Sequence, residues 1–479
     1  MTSGLSPHKQ AVRDFFEGLA PNIDRWRRHS RYYHAELARI CRFIIPKGSS
    51  VLELGCGTGD LLAALEPRDG LGVDLSPRMV ALARERHPGL RFEVDDAEAL
   101  NLDQTFDFVV LSDLVGHLED VQATFERLRR VCHPRTRVVI TYYNRLWEPI
   151  LRLASALGQR IPLGEQNWLP LPDLDNLLNL ADFEVIRQGR ALLAPKYFPG
   201  VSSFFNRLVA KLPLFRRFAL VKYLVARPKP SVADERPSSL TCSVVIPCRN
   251  ERGNIAAAVE RVPEMGGHTE IVFVDGASTD GTRDEIHAQI EKWRGRKDIR
   301  FVAQDQPRGK GEATWMGFAA ARGDVLMILD ADLTVAPEDL PKFFRAIAEG
   351  KGEFINGTRL VYPMESQAMR TANLIGNKGF SLIFTWLLEQ RITDTLCGTK
   401  VLRREDYETI RANRSFFGDF DPFGDFDLLF GAAKANLKIV ELPIRYHDRV
   451  YGSTKISRWR HGVLLLRMSL VAFRKLKLS

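Results

Sequence analysis

The chain contains 479 residues, of which 45% are hydrophobic and 27% charged. That balance excludes disordered, collagenous and disulfide-scaffold classes. At ~150 residues per domain the length predicts about three domains or two large ones. The formal charge is +9, but its placement says more than its size. Residues 201–227 carry six basic side chains (Arg207, Lys211, Arg216, Arg217, Lys222, Arg227) and no acid. Residues 455–479 carry seven (Lys455, Arg458, Arg460, Arg467, Arg474, Lys475, Lys477), again with no acid. Without these segments the remainder is mildly acidic, which argues against a surface built throughout for nucleic acid.

The six cysteines (Cys41, Cys56, Cys132, Cys242, Cys248, Cys397) form neither a C-x-x-C pair nor a metal-ligand spacing. They read as reduced thiols of a cytosolic protein. The first twenty residues have no apolar core of signal-peptide type. No stretch reaches the ~18 uninterrupted apolar residues of a membrane span, and the longest candidate, Gly462 to Phe473, contains Arg467. The expectation is a chain made and kept in the cytosol.

In chain order, the apolar runs Ser50–Leu54, Gly70–Val73, Phe106–Leu111 and Arg137–Tyr142 are separated by helix-length segments. The same alternation returns at Ser243–Pro247, Glu270–Val274, Ile299–Ala303 and Val325–Leu329. Val/Ile/Leu strands alternating with helices predict parallel sheets covered on both faces. Between the two sets, residues 228–239 hold three prolines and almost no apolar side chain, and read as a linker. The predicted organisation is two α/β domains in tandem, 1–227 and 240–479.

In the first half, Val51-Leu-Glu-Leu-Gly-Cys-Gly-Thr-Gly59 runs from a strand into a helix. Its glycines permit a tight turn and a close backbone approach to a ligand. The next strand ends in Asp74, suited to accept from ribose hydroxyls, and later strands end at Asp96-Ala and at Ser112–His117. Ligands of doubly wound sheets sit at such carboxyl ends. This pattern resembles class I S-adenosylmethionine-dependent methyltransferases of Rossmann-like fold. The resemblance implies that Glu53, Gly55, Gly57 and Gly59 hold the methionine moiety, Asp74 the ribose and Asp96 the adenine amino group. A dinucleotide loop would read G-x-G-x-x-G, whereas Asp60 stands at the last glycine position. His117 reads as a structural donor or as a base near the sulfonium. The aromatic lead-in (Phe15, Phe16, Trp26, Tyr32, Tyr33) reads mainly as a helix packed on the sheet.

In the second half, Ser243-Val-Val-Ile-Pro247 leads into Glu251, and Glu270-Ile-Val-Phe-Val-Asp275 ends in a glycine-rich loop. Arg308 and Lys310 supply bases suited to phosphate. The strand Val325–Leu329 ends in Asp330-Ala-Asp332-Leu. Two carboxylates spaced in this way share a hard divalent cation with a diphosphate. This half resembles family 2 glycosyltransferases of GT-A fold, and among them dolichol/polyprenyl-phosphate sugar synthases. The marks are Asp330–Leu333, Gly357-Thr-Arg359, Asp394–Lys400, Gly424–Asp427 and Arg449–Lys455. The resemblance implies nucleotide contacts from Pro247, Glu251, Asp275 and Asp330, a metal (Mg2+ or Mn2+) on Asp330 and Asp332, and phosphates facing Arg359, Arg449 and Lys455. Gly276 stands where the family usually has a second aspartate, and Thr334 where the subfamily often has glutamine. A phosphate acceptor (second pKa ~6) needs no base. A hydroxyl acceptor needs one, and Asp425 or Asp427 is the candidate; alternatively these acids hold Arg449 or Lys455 in place.

Near the C-terminus, Arg460, Arg467 and Arg474 recur every seven residues beside an apolar stripe of Trp459, Val463, Leu466, Leu470 and Phe473. This pattern suits a helix lying in a membrane interface among anionic headgroups, or a helix packed on its own domain. Phe218–Ala226 is expected to form the last strand of the first sheet, with 201–217 as a basic, apolar insertion before it. The expected whole is a bifunctional, peripheral enzyme at the cytosolic face of a membrane. It would take a nucleotide-sugar, a polyprenyl phosphate and S-adenosylmethionine, and no nucleic acid. The alternatives are a glycosyltransferase acting on a glycan or protein hydroxyl, and a first half that only binds cofactor and recruits partners.

Overall fold

The structure is a computed structural model that describes residues 5–161, 166–230, 239–306, 309–359, 371–416, 425–447, 449, 451 and 458–478. It divides into two compact units, Met1–Lys229 and Pro230–Ser479. Residues 231–238 of the predicted linker lie outside the described residues.

The first unit contains β1 (Ser50–Leu54), β2 (Asp69–Asp74), β3 (Arg91–Val94), β4 (Phe106–Ser112), β5 (Cys132–Tyr143), β6 (Phe183–Ala191) and β7 (Val221–Pro228). They form one sheet in the order β3-β2-β1-β4-β5-β7-β6. β1 to β5 pair in parallel. Alternate side chains serve opposite faces. Leu52, Leu54, Val109 and Leu111 fill one core, while Val51, Phe108 and Val110 fill another. The sheet is not parallel throughout. β7 runs antiparallel to both β5 and β6, beginning and ending a little later than the predicted strand. The connection from β6 to β7 holds a short helix, Val201–Arg207, and 3-10 turns at Val209–Lys211 and Phe215–Phe218; an antiparallel neighbour does not require a crossover across the sheet.

The second unit contains β8 (Thr241–Cys248), β9 (His268–Asp275), β10 (Asp298–Ala303), β11 (Val325–Ile328), β12 (Phe354–Thr358), β13 (Lys400–Arg403) and β14 (Ile439–Pro443). Their order is β10-β9-β8-β11-β13-β12-β14. β13 is antiparallel to β11 and β12, and the remaining pairs are parallel. The two units are thus mixed α/β folds, a Rossmann-like methyltransferase fold and a GT-A-like fold.

Left-handed backbone at non-glycine residues occurs after four strands, among other places. Asp113 (φ 56°) follows β4, Asn250 (φ 54°) β8, Ala277 (φ 54°) β9, and Leu333 (φ 53°) the β11 end. Such conformations cost ~1–3 kcal/mol each and collect where a site dictates the backbone.

The helix Arg458–Lys477 resolves the two readings of its stripes into two faces. Leu465, Met468, Ala472 and Leu476 are buried, and Phe473 stacks on Trp386 of the helix Thr371–Leu388 at 5.5 Å. Val463, Leu466 and Leu470 remain exposed with Arg467 and Arg474. Arg460 and Trp459 are described in their backbone alone. Among the described residues no helix is long and apolar enough to cross a membrane.

Candidate active sites

In the first unit, the β1–helix loop, the ends of β2 and β4, and the N-terminal helices enclose a cavity of about 430 Å³. Gly55, Gly57 and Gly59 all take positive φ (70°, 52° and 74°), a turn that side chains other than glycine adopt at a cost. A β-carbon on Gly57 would meet nothing within 4 Å, so this peptide lies open to the cavity. Its N–H donates to Asp74 Oδ2 at 2.8 Å, and Ser76 N–H to Asp74 Oδ1 at 2.9 Å. Burial raises the Asp74 carboxyl against these two donors. Glu53 accepts from Leu62 N–H at 3.0 Å, and burial pushes it up to about 8. The site brings Glu53, Gly55, Gly57, Asp74 and Asp96 around one cavity; Gly59 caps the following helix Asp60–Ala64. An open backbone loop flanked by two carboxylates fits a methionine–ribose ligand.

The aromatic lead-in, expected mainly to pack, supplies a wall of the cavity through Phe16, Trp26 and Tyr33. Lys9, on the helix Pro7–Leu19, pairs with Asp96 at 2.6 Å and Glu98 at 3.3 Å. His117 packs edge-on to Phe16 at 5.5 Å, and burial, with Arg160 and His8 nearby, lowers it to about 4. It is therefore a neutral imidazole near pH 7.

Sequence reasoning assigned no role to the group at the end of β4. Tyr33 donates to Asp113 Oδ2 at 2.6 Å, and the Arg160 guanidinium lies 5.0 Å over the Tyr143 ring. All four residues line the cavity. Burial raises Asp113 to about 6, opposed by the Tyr33 hydrogen bond, the Arg160 charge and Tyr143. Among the described residues, Asp113 Oδ1 receives no hydrogen bond. The sequence signal is an acid directly after a strand, in the run Ser112–His117.

In the second unit the strand-end motifs converge as ion pairs. Lys310 opens the helix Lys310–Ala320 and meets Asp330 Oδ1 at 2.6 Å. Burial alone would raise Asp330, but Lys310, Lys400 and Arg359 hold it below the usual range. Asp332 Oδ1 accepts from the Thr334 hydroxyl at 2.8 Å, and its Oδ2 meets Arg449 Nη2 at 2.5 Å. Arg449 Nη1 also lies 3.5 Å from Glu251, so one guanidinium joins the β8 and β11 ends. Arg359 gives Nε and Nη2 to the buried Asp394 at 2.7 and 2.8 Å and lies over Tyr446. Asp275 is fully buried and pairs with Arg283 at 3.1 Å, while Pro247 sits at the end of β8. Asp427 is buried, 3.9 Å from Arg414. Asp425 starts the helix Asp425–Lys434 and is described in its backbone alone; Arg308 and Lys455 lie outside the described residues.

Asp330 and Asp332 are hard oxygen donors, and a β-carbon at Gly398 would lie 2.2 Å from Asp330 Oδ2. Glycine there keeps the carboxylate's second oxygen uncovered. The pair fits a divalent cation shared with a diphosphate. Among the described residues no cluster of three or more potential ligands provides a complete set, so phosphate oxygens and water would complete it.

Comparison with known proteins agrees with both folds. Residues 24–188 match the family described as methyltransferase domain, and residues 243–411 match glycosyl transferase family 2. The chain therefore joins a class I methyltransferase domain to a family 2 glycosyltransferase domain. Curated relatives of the second include a dolichol-phosphate mannosyltransferase of Pyrococcus furiosus, 29% identical over 219 residues, 45% of this chain and 58% of the relative. The Saccharomyces cerevisiae dolichol-phosphate mannosyltransferase is 34% identical over 126 residues, 25% of this chain and 45% of that one. The chain spans about half the length of the curated relatives it matches. Among solved structures, Synechocystis magnesium protoporphyrin IX methyltransferase with bound SAH aligns at TM-score 0.35 and 20% identity, over 46% of this chain and all of that one. Mycobacterium tuberculosis glucosyl-3-phosphoglycerate synthase aligns at TM-score 0.37 and 18% identity, over 50% and 81%.

Proposed function

We propose that the C-terminal unit transfers a sugar, with inversion, from a nucleotide-sugar to a polyprenyl phosphate. The N-terminal unit transfers methyl from S-adenosylmethionine to a product or partner of the same pathway. The observation that carries the first half is the pairing of Lys310 with Asp330 and of Arg449 with Asp332. These cations stand beside the acids that would meet a diphosphate, where they offset charge on the departing group. A divalent cation held by Asp330 and Asp332 would add the same stabilisation. The lipid-phosphate acceptor is supported by the names of the curated relatives. The exposed face of Arg458–Lys477, with Arg467 and Arg474 beside Leu466 and Leu470, supports peripheral contact with the membrane that carries such an acceptor.

For the methyl transfer, Asp113 is the proposed base. The acceptor's heteroatom–methyl bond forms as the sulfur–methyl bond breaks, and the acceptor's proton passes to the Asp113 carboxylate. The test is donor screening with the full chain and an extracted lipid-phosphate acceptor, with and without chelator. Transfer to the lipid phosphate that stops in chelator is expected. Transfer confined to hydroxyl acceptors would overturn the acceptor, and undiminished transfer in chelator would overturn the metal.

A further inference from the structure

The first unit carries an exposed apolar surface that its cavity alone does not explain. On the segment around the helix Glu148–Ala156, Leu146, Ile150, Leu153 and Leu157 are each more than half exposed. The same helix turns Leu151 and Ala154 inward to wall the cavity. A second segment carries Tyr197, Phe198, Phe204, Leu214 and Phe218, each again more than half exposed.

The two segments are tied together. Trp147 Nε1 donates to Phe218 O at 2.7 Å, Asn144 Nδ2 donates to Arg217 O and Ala219 O, and Lys196 Nζ donates to Gln159 Oε1. Two buried polar side chains hold the second segment in shape. Asn206 accepts from Leu193 and Ala194 N–H and donates to Ala194 O and the Tyr32 hydroxyl. Ser202 accepts from Phe198 N–H and donates to Lys196 O. A short helix, Val201–Arg207, is thus anchored by its polar side while its aromatic side faces outward.

Charge identifies the occupant. Residues 192–220 contain Lys196, Arg207, Lys211, Arg216 and Arg217 and no acid. The first segment contains Arg145, Arg152 and one acid, Glu148, which is paired with Arg152. Exposed aromatics and leucines within a predominantly cationic rim match an anionic lipid surface, where rings lie at headgroup depth and bases meet phosphates. The cavity opens beside this surface, since Pro195 and Lys196 also line it.

We infer that segments 145–157 and 196–218 form a docking apron for an anionic lipid surface, and that the methyl acceptor is an amphiphile taken from that surface. The second part rests on the methyltransferase reading of this unit, with the bond changes given above. The test uses flotation of the full chain with vesicles of phosphatidylcholine alone or with phosphatidylglycerol, alongside calorimetry of S-adenosylhomocysteine binding. The triple variant Phe198→Ser, Phe204→Ser, Phe218→Ser should partition about tenfold or more weakly onto the anionic vesicles and bind S-adenosylhomocysteine as wild type does. Replacing Arg207, Arg216 and Arg217 by Gln should give a loss that disappears in high salt. Two outcomes overturn the apron: variants that float like wild type, or sedimentation showing that the serines instead dissolve a dimer. A wild-type chain that floats but binds no S-adenosylhomocysteine leaves the apron standing and overturns the methyltransferase reading, and with it the acceptor assignment.

Discussion

The hydroxyl of Tyr33 donates at 2.6 Å to the carboxylate of Asp113, eighty residues further along the chain. That bond opposes the burial that lifts Asp113 to about 6. The folded state therefore holds the Asp113 proton more tightly than the unfolded chain, whose ordinary value is 3.8. Stability from this group is complete below about pH 4 and is lost as pH rises through about 6. The difference in unfolding free energy between wild type and Asp113→Asn should fall by about 2 kcal/mol between pH 4 and pH 7. Denaturant titrations at pH 4 and pH 7 check this. A difference independent of pH would place the Asp113 carboxyl at its ordinary value.

Asp74 accepts from the Gly57 and Ser76 N–H groups, so it both shapes the loop and faces the cavity. Asp74→Ala should weaken S-adenosylhomocysteine binding by ~1–3 kcal/mol, the cost of leaving ligand or loop donors unpaired. Calorimetry showing unchanged affinity would remove Asp74 from the ribose role.

Asp332→Ala should abolish sugar transfer, as should chelation, while S-adenosylhomocysteine binding by the other unit stays unchanged. The variant removes one of the two candidate metal donors and the partner of Arg449 at once. Asp332→Asn keeps the shape but not the charge, and should be nearly as inactive. An active Asn variant would show that geometry rather than charge matters there.

Gly398→Ala places a β-carbon 2.2 Å from Asp330 Oδ2 and 2.7 Å from Lys310 Nζ. The crowding should cost ~1–3 kcal/mol of stability in the second unit and eliminate sugar transfer. Thermal unfolding followed beside transfer assays checks both. Full activity in this variant would mean that the Cys397–Thr399 backbone moves away freely.

Changing Arg460, Arg467 and Arg474 together to Gln should weaken binding to anionic vesicles by several kcal/mol at most, at ~1 kcal/mol per charge. Transfer to a membrane-embedded acceptor should slow far more than transfer to a short, water-soluble analogue. Equal loss of both activities would assign the helix to domain packing alone.

The strand ends were readable because apolar runs, glycines and acids lie next to one another in the chain. The loop at Gly55–Gly59 and the acids Asp74, Asp330 and Asp332 are local patterns, and each falls at the end of a strand. The partners of those acids were not readable. Arg449 is 117 residues from Asp332, and nothing around it distinguishes a phosphate ligand from an ion-pair partner. Arg359 and Asp394 were each noticed, yet their bidentate pairing follows only from the β12–β13 geometry. Arg160 lies outside every motif, and only the fold brings it to Tyr143. The amphipathic C-terminal helix was legible as a pattern, but which stripe packs depends on Trp386 in a distant helix.

The position of β7 also bears on how the protein is made. Among the described residues β6 pairs with β7 alone, and β7 is the last strand of its unit to leave the ribosome. Until Pro228 emerges, β6 has no hydrogen-bonded place and the β5 edge stays open from Val138 to Tyr143. An open edge of buried-type residues invites pairing with other chains. Nascent chains stalled or cleaved before residue 221 should therefore aggregate rather than persist as a shorter methyltransferase domain.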